Sequence, residues 1–570
     1  MRKNIQIEKY RIDEKQKVLE LELAGRVGML VPGRRLRLSA IFQAKACNRH
    51  YPILAYCEPT QDGDVTFRAS ARIELEYVFY QYRREGEKTV SLRFACCDLK
   101  EKWIAFEETL LLPAQLFEQR EHRVSLFTRW KNRLLYVGCT LLLPVWLLDG
   151  YLAVKGKKTL HPAAKGMQGK KAILYHAHGL VNGWTGYGYS IREMKTNYFA
   201  RQYQKACRRL SKTQGVLFLS ERRVEPGGNL DLVKKEMEKQ GICKVSQFLE
   251  TRPVHKLTWK ELRRSAGLIA AARVVVLEDF YPQLHALSIR QETQILQMWH
   301  ACGAFKLFGL SELGLVEHLQ QSTRNHRSYT QALVSGNAVA PFYSEAFGVC
   351  DNCIKPIGIP RTDIFFQEEY RSRIREKLLD RYPVCQGKKV ILFAPTFRGS
   401  GNKTAYFPRA KFPVNQVMEA LPEDVVLILK NHPFVREKWD VEEKFRSRVL
   451  DLSEAENIND LLFITSLLVT DYSSVIFEAA LVHIPMVFYA FDLQEYLDKR
   501  NLYFDFASFA PGEIVTTTEE LIRQMQYCLS QPVSAQKNYQ EFCAFFLDAL
   551  DGQSTRRTVQ LIEQMLLTTT

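Results

Sequence analysis

The chain predicts an α/β protein: two doubly wound domains facing each other across a cleft, preceded by a small N-terminal β-sandwich. Three observations carry this reading. At 570 residues the chain is too long for one hydrophobic core. Residues 1–118 alternate apolar and polar side chains, the period of half-buried strands. Beyond residue 168 the apolar runs become continuous, as in parallel strands buried on both faces.

In residues 1–118 the alternation is clearest in Val18–Leu23, Val65–Leu75 and Val90–Phe94, with turn residues such as Asp62-Gly63-Asp64 between. No catalytic constellation stands here, so an accessory interaction or docking module is expected. Residues 119–168 form a basic and apolar connector. Leu134–Leu148 is fifteen residues without a charge. That is shorter than the roughly 20 that span a bilayer, and Pro144 interrupts it. Eleven Lys/Arg fall between Arg120 and Lys171, opposed only by Glu121 and Asp149. The pattern suits monotopic attachment to an anionic membrane surface; a buried connector or a solvated linker would also carry it. The first α/β domain, residues 169–355, has apolar runs at Ala172–Tyr175, Val216–Leu219 and Val274–Leu277. The second, residues 356–570, has them at Val390–Phe393, Val425–Leu429, Leu467–Thr470 and Met486–Tyr489.

Composition narrows the partner. Apolar residues make 46% and charged residues 25% of the chain, the proportions of a globular protein. A net charge of +16 points to an anionic partner: nucleic acid, anionic lipid or a phosphate-rich polymer. No helix-turn-helix, zinc-finger or RNP-type pattern is present, so nucleic acid is not expected. The thirteen cysteines are scattered, and no signal-peptide pattern opens the chain. A reducing, cytosolic compartment is therefore expected. Cys350 and Cys353 form a single CxxC without a second ligand pair, so no zinc site is expected.

Five segments carry candidate chemistry. In Leu467–Glu478 an apolar strand runs into a turn and then a helix, with Ser473 as its expected N-cap. A helix start at the carboxyl end of a parallel strand is an anion site, which the Ser473-Ser474 hydroxyls would supplement. Glu478 stands one turn on, in reach of a ribose hydroxyl. In Lys430-Asn431-His432-Pro433 the proline holds the histidine in a turn after a strand. His300 lies among small residues, with Lys306 close behind as a positive charge. Thr396 and Arg398 follow another strand, and Arg398 suits bidentate phosphate binding. Gly358-Ile-Pro-Arg361-Thr-Asp363 would open the second domain. Each segment, read singly, is also compatible with an ordinary loop.

Together these segments form an ordered series: His300 with Lys306, Gly358-x-Pro-Arg361-x-Asp363, Ala394-Pro-Thr396 with Arg398, Asn431-His-Pro433, then Thr470-Asp471-Tyr-Ser473-Ser474. Pro485-Met-Val-Phe-Tyr489, Asp492-x-x-Glu495-Tyr496 and Tyr503-Phe-Asp505 follow. The series resembles the CDP-glycerol glycerophosphotransferase family, the bacterial teichoic acid primases and polymerases, over roughly residues 170–560. The resemblance implies a GT-B-like pair of Rossmann-type domains, with the nucleotide held mainly by the second. It implies a transferase that moves glycerol phosphate, or another polyol phosphate, from CDP-glycerol or CDP-ribitol to a lipid-linked teichoic-acid-type acceptor and releases CMP. Working histidines map to His300 and His432. Substrate contacts map to Lys306, Arg361, Thr396, Arg398, Asn431, Asp471, Ser473, Ser474 and Glu478. His300 is expected as general base and His432 at the leaving phosphate, with the reverse also open. No cofactor is expected beyond possible stimulation by Mg2+, and the expected location is the cytoplasmic face of the membrane. The family's polymerases often read His-Gly-Thr-Pro-Leu-Lys, where this chain has His300-Ala-Cys-Gly-Ala-Phe-Lys306. Primase and polymerase, glycerol and ribitol thus stay open. A GT-B glycosyltransferase using a nucleotide sugar, or a polyanion-binding protein, are the rival readings.

Overall fold

A computed structural model of the chain describes residues 4–27, 35–44, 47–59, 65–79, 89–98, 102–118, 191–210, 213–225, 227–316, 319–399, 404–499, 501–531 and 538–568, with a few isolated positions besides. Three sheets organise it. The first is antiparallel: β1 (Asn4–Asp13), β2 (Val18–Val27), β3 (Arg35–Ala44), β4 (Cys47–Pro59), β5 (Val65–Glu74), β6 (Thr89–Asp98) and β7 (Lys102–Pro113), in spatial order β1-β2-β5-β4-β3-β6-β7. The expected two-layer sandwich is thus one sheet. It curls so that its two edges meet: the Ile7 N–H of β1 donates to the Glu108 carboxylate of β7 at 2.8 Å. Curling buries one face of every strand without a second layer. Leu19, Leu38, Phe42, Phe67, Leu92 and Phe94 fill that interior.

The second sheet is parallel, in order β13-β12-β11-β10-β8-β9, from β8 (Val216–Ser220), β9 (Val245–Leu249), β10 (Val274–Leu277), β11 (Gln294–Gln297), β12 (Gln331–Leu333) and β13 (Ile354–Lys355). The third, also parallel, runs β16-β15-β14-β17-β18-β19, from β14 (Lys389–Phe393), β15 (Val425–Leu429), β16 (Val449–Asp451), β17 (Leu467–Thr470), β18 (Met486–Tyr489) and β19 (Glu513–Val515). Every continuous apolar run named above that lies in the described residues is one of these strands. Ala172–Tyr175 and most of residues 119–190 lie outside them. Of the apolar connector, Val145 and Leu148 are described, and both are exposed. No described helix is long and apolar enough to cross a membrane.

The two parallel sheets share one continuous hydrophobic core. Phe305 of the first stacks on Phe509 of the second at 4.8 Å. The last helix, Ser554–Leu567, returns to the first: Gln294 Nε2 donates to the Met565 carbonyl. The Gly358–Asp363 segment receives that helix. The Asp363 carboxylate accepts the Ser554 and Thr555 N–H groups, closing the open helix start. Gly358 has φ +88°, and a Cβ there would meet Ser554 and the Ala549 carbonyl.

The N-terminal sheet docks on segments on either side of β12. The Arg327 guanidinium donates to the Tyr77 carbonyl, and Gln321 bonds Tyr51 and the Arg72 carbonyl. His50 Nε2 meets Asp351 Oδ2 at 3.1 Å. Cys47 and Cys350 are joined as a disulfide, Cα–Cα 5.3 Å, so the CxxC contributes a cross-link and not a metal site. This departs from the expectation of reduced cysteines, because folding brings together two thiols 303 residues apart. Preparing the protein without reductant should therefore show the Cys47–Cys350 peptide by mass spectrometry. Cys47→Ser should lower stability by about 2–4 kcal/mol in that preparation and have little effect once the wild type is reduced, as read by thermal unfolding.

Candidate active site

Parallel α/β sheets present their ligands at the carboxyl ends of the strands, and the chemistry of this chain gathers there. In the first domain, Arg222 and Arg223 follow β8, Glu278 and Asp279 follow β10, and His300 follows β11. The chain turns sharply before His300: Trp299 has φ +58°, a conformation costly for a bulky side chain. It is held from both sides. The Trp299 N–H donates to Gln297 Oε1, and its carbonyl accepts from Asn229 Nδ2. Trp299 also packs on Phe308 and Phe347. His300 is half-buried, with Nδ1 3.1 Å from Asp279 Oδ1, close enough for the carboxylate charge to act on the ring though no hydrogen bond joins them. The other oxygen of Asp279 pairs with Arg222. Burial, with Arg222 and Arg361 nearby, pushes the His300 pKa down to about 3, so its ring is neutral at neutral pH.

His432 follows β15 in the second domain. Its Nδ1 accepts the Phe434 N–H at 3.2 Å, and its ring lies against Phe397 and Phe434. Since Nδ1 is the acceptor, the neutral ring carries its proton on Nε2. Burial and then the charge of Lys306 hold its pKa below the usual histidine range. Lys306 belongs to the other domain. It sits where residues 305–307 pair with 501–503 as a short antiparallel ladder (Leu307 N–H to the Asn501 carbonyl, Tyr503 N–H to the Phe305 carbonyl). Just before it, Gly303 has φ +62°, and a Cβ there would strike the Phe477 ring. The His300–Lys306 loop is therefore pressed against the second domain, which explains its small residues.

Several expected substrate contacts are engaged with each other. Arg361, whose N–H bonds Asn229 Oδ1, places its guanidinium on the Glu478 carboxylate. Glu478 is buried, and this pair ties the segment after β13 to the helix Ile476–Leu481, while the Asn229 bond reaches the first domain. Burial disfavours the Arg361 charge, but Glu478 outweighs it and the guanidinium is held above its ordinary range. Arg398 is not open for a phosphate: its fork is bidentate to Asp492 at 2.6 and 2.9 Å, and it reaches Asp471 at 2.9 Å. Tyr472 and Tyr496 flank it. Asp471 Oδ1 accepts the N–H and hydroxyl of Thr396 and the Tyr472 N–H, pinning two strand ends together. Asn431 is buried, its N–H bonded to Ser453 and its side-chain oxygen without a hydrogen bond. Ser473 is not the residue that opens the helix. That helix is Ile476–Leu481, because Ser474 and Val475 form a turn first. Ser473 Oγ accepts the Val475 N–H at 3.4 Å, and Ser474 is exposed. Asp279, Arg222, Asn229 and Asp492 were missed by sequence reasoning. Glu278-Asp279 directly after an apolar run was the one signal available. Cys302, beside Arg361, has its thiol pushed up to about 12 by burial and is no nucleophile at neutral pH. Among the described residues no cluster of three or more His, Cys, Asp or Glu is arranged to hold a metal ion.

The model of one family, CDP-glycerol:poly(glycerophosphate) glycerophosphotransferase, matches residues 202–564, more than half of the chain. The chain belongs to this family. It is 34% identical to the teichoic acid poly(ribitol-phosphate) polymerase of Bacillus spizizenii, over 65% of this chain and 60% of that protein. It is 37% identical to the teichoic acid ribitol-phosphate polymerase TarK of Staphylococcus aureus, over 55% of this chain and 62% of that protein. The chain thus spans about three fifths of the length of these curated relatives. Its fold is that of the wall teichoic acid polymerase TagF: TM-score 0.52 at 18% identity, covering 65% of this chain and 94% of that one. The matched region contains every catalytic and substrate-contact residue expected from the sequence.

Two outcomes test this geometry. Glu478→Ala strands a buried guanidinium, which should cost roughly 3–5 kcal/mol in denaturant unfolding, while Arg361→Met with Glu478→Leu should recover most of it. His285 and His326, buried against Tyr329 behind Trp299, share with His300 pKa values pushed down to about 3, chiefly by burial. Unfolded histidine takes up its proton near 6.5, so stability should be full above that pH and fall as pH drops toward 3. Thermal unfolding across this window should show a shallower fall for His326→Asn, a residue that tolerates the φ of +64° at that position.

Proposed function

We propose that this chain transfers a polyol phosphate from a CDP-polyol to the terminal hydroxyl of a lipid-linked polyol-phosphate acceptor at the cytoplasmic membrane face, releasing CMP. The acceptor oxygen attacks the β-phosphorus, the bond from that phosphorus to the bridging oxygen breaks, and the hydroxyl proton passes to the protein. One observation carries the assignment of roles. The two histidines are backed by opposite groups: a carboxylate behind Nδ1 of His300, a backbone N–H behind Nδ1 of His432. Asp279 favours a proton on His300 Nδ1, which leaves the Nε2 lone pair to take the acceptor proton. Phe434 fixes the proton of His432 on Nε2, where it can hydrogen-bond the departing CMP phosphate.

The depressed pKa of His300 fits this order of events. Before substrate binds, burial, and then the charges of Arg222 and Arg361, keep the ring unprotonated. A substrate phosphate brought beside those cations would offset them and raise the basicity of His300 where the proton is taken. Lys306, whose charge acts on His432, and the Ser473-Ser474 turn after β17 would share the phosphate charge. Both relatives named above are ribitol-phosphate polymerases, which supports CDP-ribitol over CDP-glycerol in this reading.

CMP release from CDP-ribitol and CDP-glycerol, with a lipid-linked polyol-phosphate acceptor on liposomes, tests the proposal. His300→Ala and His432→Ala should each lose about 10²–10⁴ of kcat, and Asp279→Asn should lower kcat with little change in donor KM. CMP release by wild type that needs no acceptor, or UDP or GDP release from a nucleotide sugar instead, would overturn it.

A further inference from the structure

Three adjacent parallel strands, β8, β10 and β11, end in Arg222, Asp279 and His300. A single carboxylate lies between the other two groups: Asp279 Oδ1 is 3.1 Å from His300 Nδ1 without a hydrogen bond, and Oδ2 pairs with Arg222 Nε. The neighbouring arginine is used differently. Arg223 is directed onto Glu278, which also accepts from Ser220, and it lies over Gly227. Arg222 keeps half of its side chain exposed, against 16% for Asp279. Its terminal amino groups make no hydrogen bond among the described residues. Burial disfavours its charge, Glu278 opposing and Arg223 adding to the effect. A bound anion would relieve that.

We propose that Arg222 is the receptor for the terminal phosphate of the acceptor, and that Asp279 sets the distance between that phosphate and the base. The inference rests on the transferase reading above and goes beyond it by naming the subsite. An acceptor made of polyol phosphate ends in a hydroxyl one polyol unit away from a phosphodiester. His300 must meet the hydroxyl, so the phosphate of the same unit needs a cation at a fixed offset from the base. Arg222 is that cation, because its Nε and His300 Nδ1 share one rigid carboxylate. The donor's phosphates belong on the opposite side, with His432 and the Ser473-Ser474 turn of the second domain. Arg222 is thus a specificity residue for acceptors whose last phosphate lies one polyol from the attacking hydroxyl.

Steady-state kinetics with acceptor and donor varied separately tests this. Arg222→Gln should raise acceptor KM at least tenfold and leave donor KM within twofold. Arg222→Lys should recover part of the acceptor affinity. A fall in kcat with acceptor KM unchanged would show that Arg222 only orients Asp279 and would overturn the proposal. A second measurement is independent of turnover. Glycerophosphoglycerol, a phosphodiester between two free glycerols, should bind wild type and lose at least tenfold in Arg222→Gln by calorimetry. No binding to wild type, or equal binding to both, would overturn the subsite. Absence of CMP release by a wild type that does bind the probe would instead count against the transferase reading.

Discussion

A guanidinium withdrawn from water requires a carboxylate, and Arg361 finds its carboxylate 117 residues along the chain, in Glu478. The pair does more than neutralise a charge. Arg361 is anchored by Asn229, which also holds the Trp299 carbonyl, and Trp299 carries His300 on a strained turn. Position of the histidine, closure of the lobes and location of a buried charge are therefore one problem with one solution. Loss of the carboxylate would leave the cation uncompensated in a low dielectric, where the cost is greatest. The same logic governs Arg398. It is saturated by Asp471 and Asp492 and acts as the rivet between strand ends of the second domain.

Two imidazoles with the same intrinsic chemistry are given different surroundings by what stands behind them. A carboxylate behind one ring nitrogen favours a proton there and leaves the far nitrogen basic. A backbone N–H behind that nitrogen does the reverse. The fold supplies the first from a neighbouring strand end and the second from a turn that Pro433 helps to form. Neither requires an extra domain or a metal cluster; both require that the strand ends lie in register.

The N-terminal sheet is built into this arrangement and is not a loosely tethered appendage. It contacts Arg327, Asp351 and Cys350, which flank the helix Ala340–Phe347. Phe347 of that helix packs on Trp299. A path of direct packing thus runs from the accessory sheet to the turn that carries His300. This gives the sheet a physical role as a support for the His300 loop.

Much of the fold was legible along the chain, because continuous apolar runs can satisfy themselves only as strands covered on both faces. Val274–Leu277 and Val425–Leu429 declare this locally. The ordered motif series likewise marked segments at or beyond strand ends, because each strand end must carry its own loop. What the sequence left open was decided by contacts between distant residues. Whether Arg398 and Glu478 face ligand or protein depends on Asp492 and Arg361, far away in the chain. The helix after β17 begins at Ile476 and not beside Ser473, because Ser474 and Val475 make a turn first. The curled single sheet depends on β1 meeting β7, and the disulfide on two thiols 303 residues apart. Asp279, which ties base to arginine, carries no local signature of its partners. Periodicity encodes which face of an element is buried, so the sequence alone determined the layers. Ion pairs and hydrogen bonds encode which elements meet, and only the tertiary structure decides that, since their strength depends on a separation in space that the chain does not write in order.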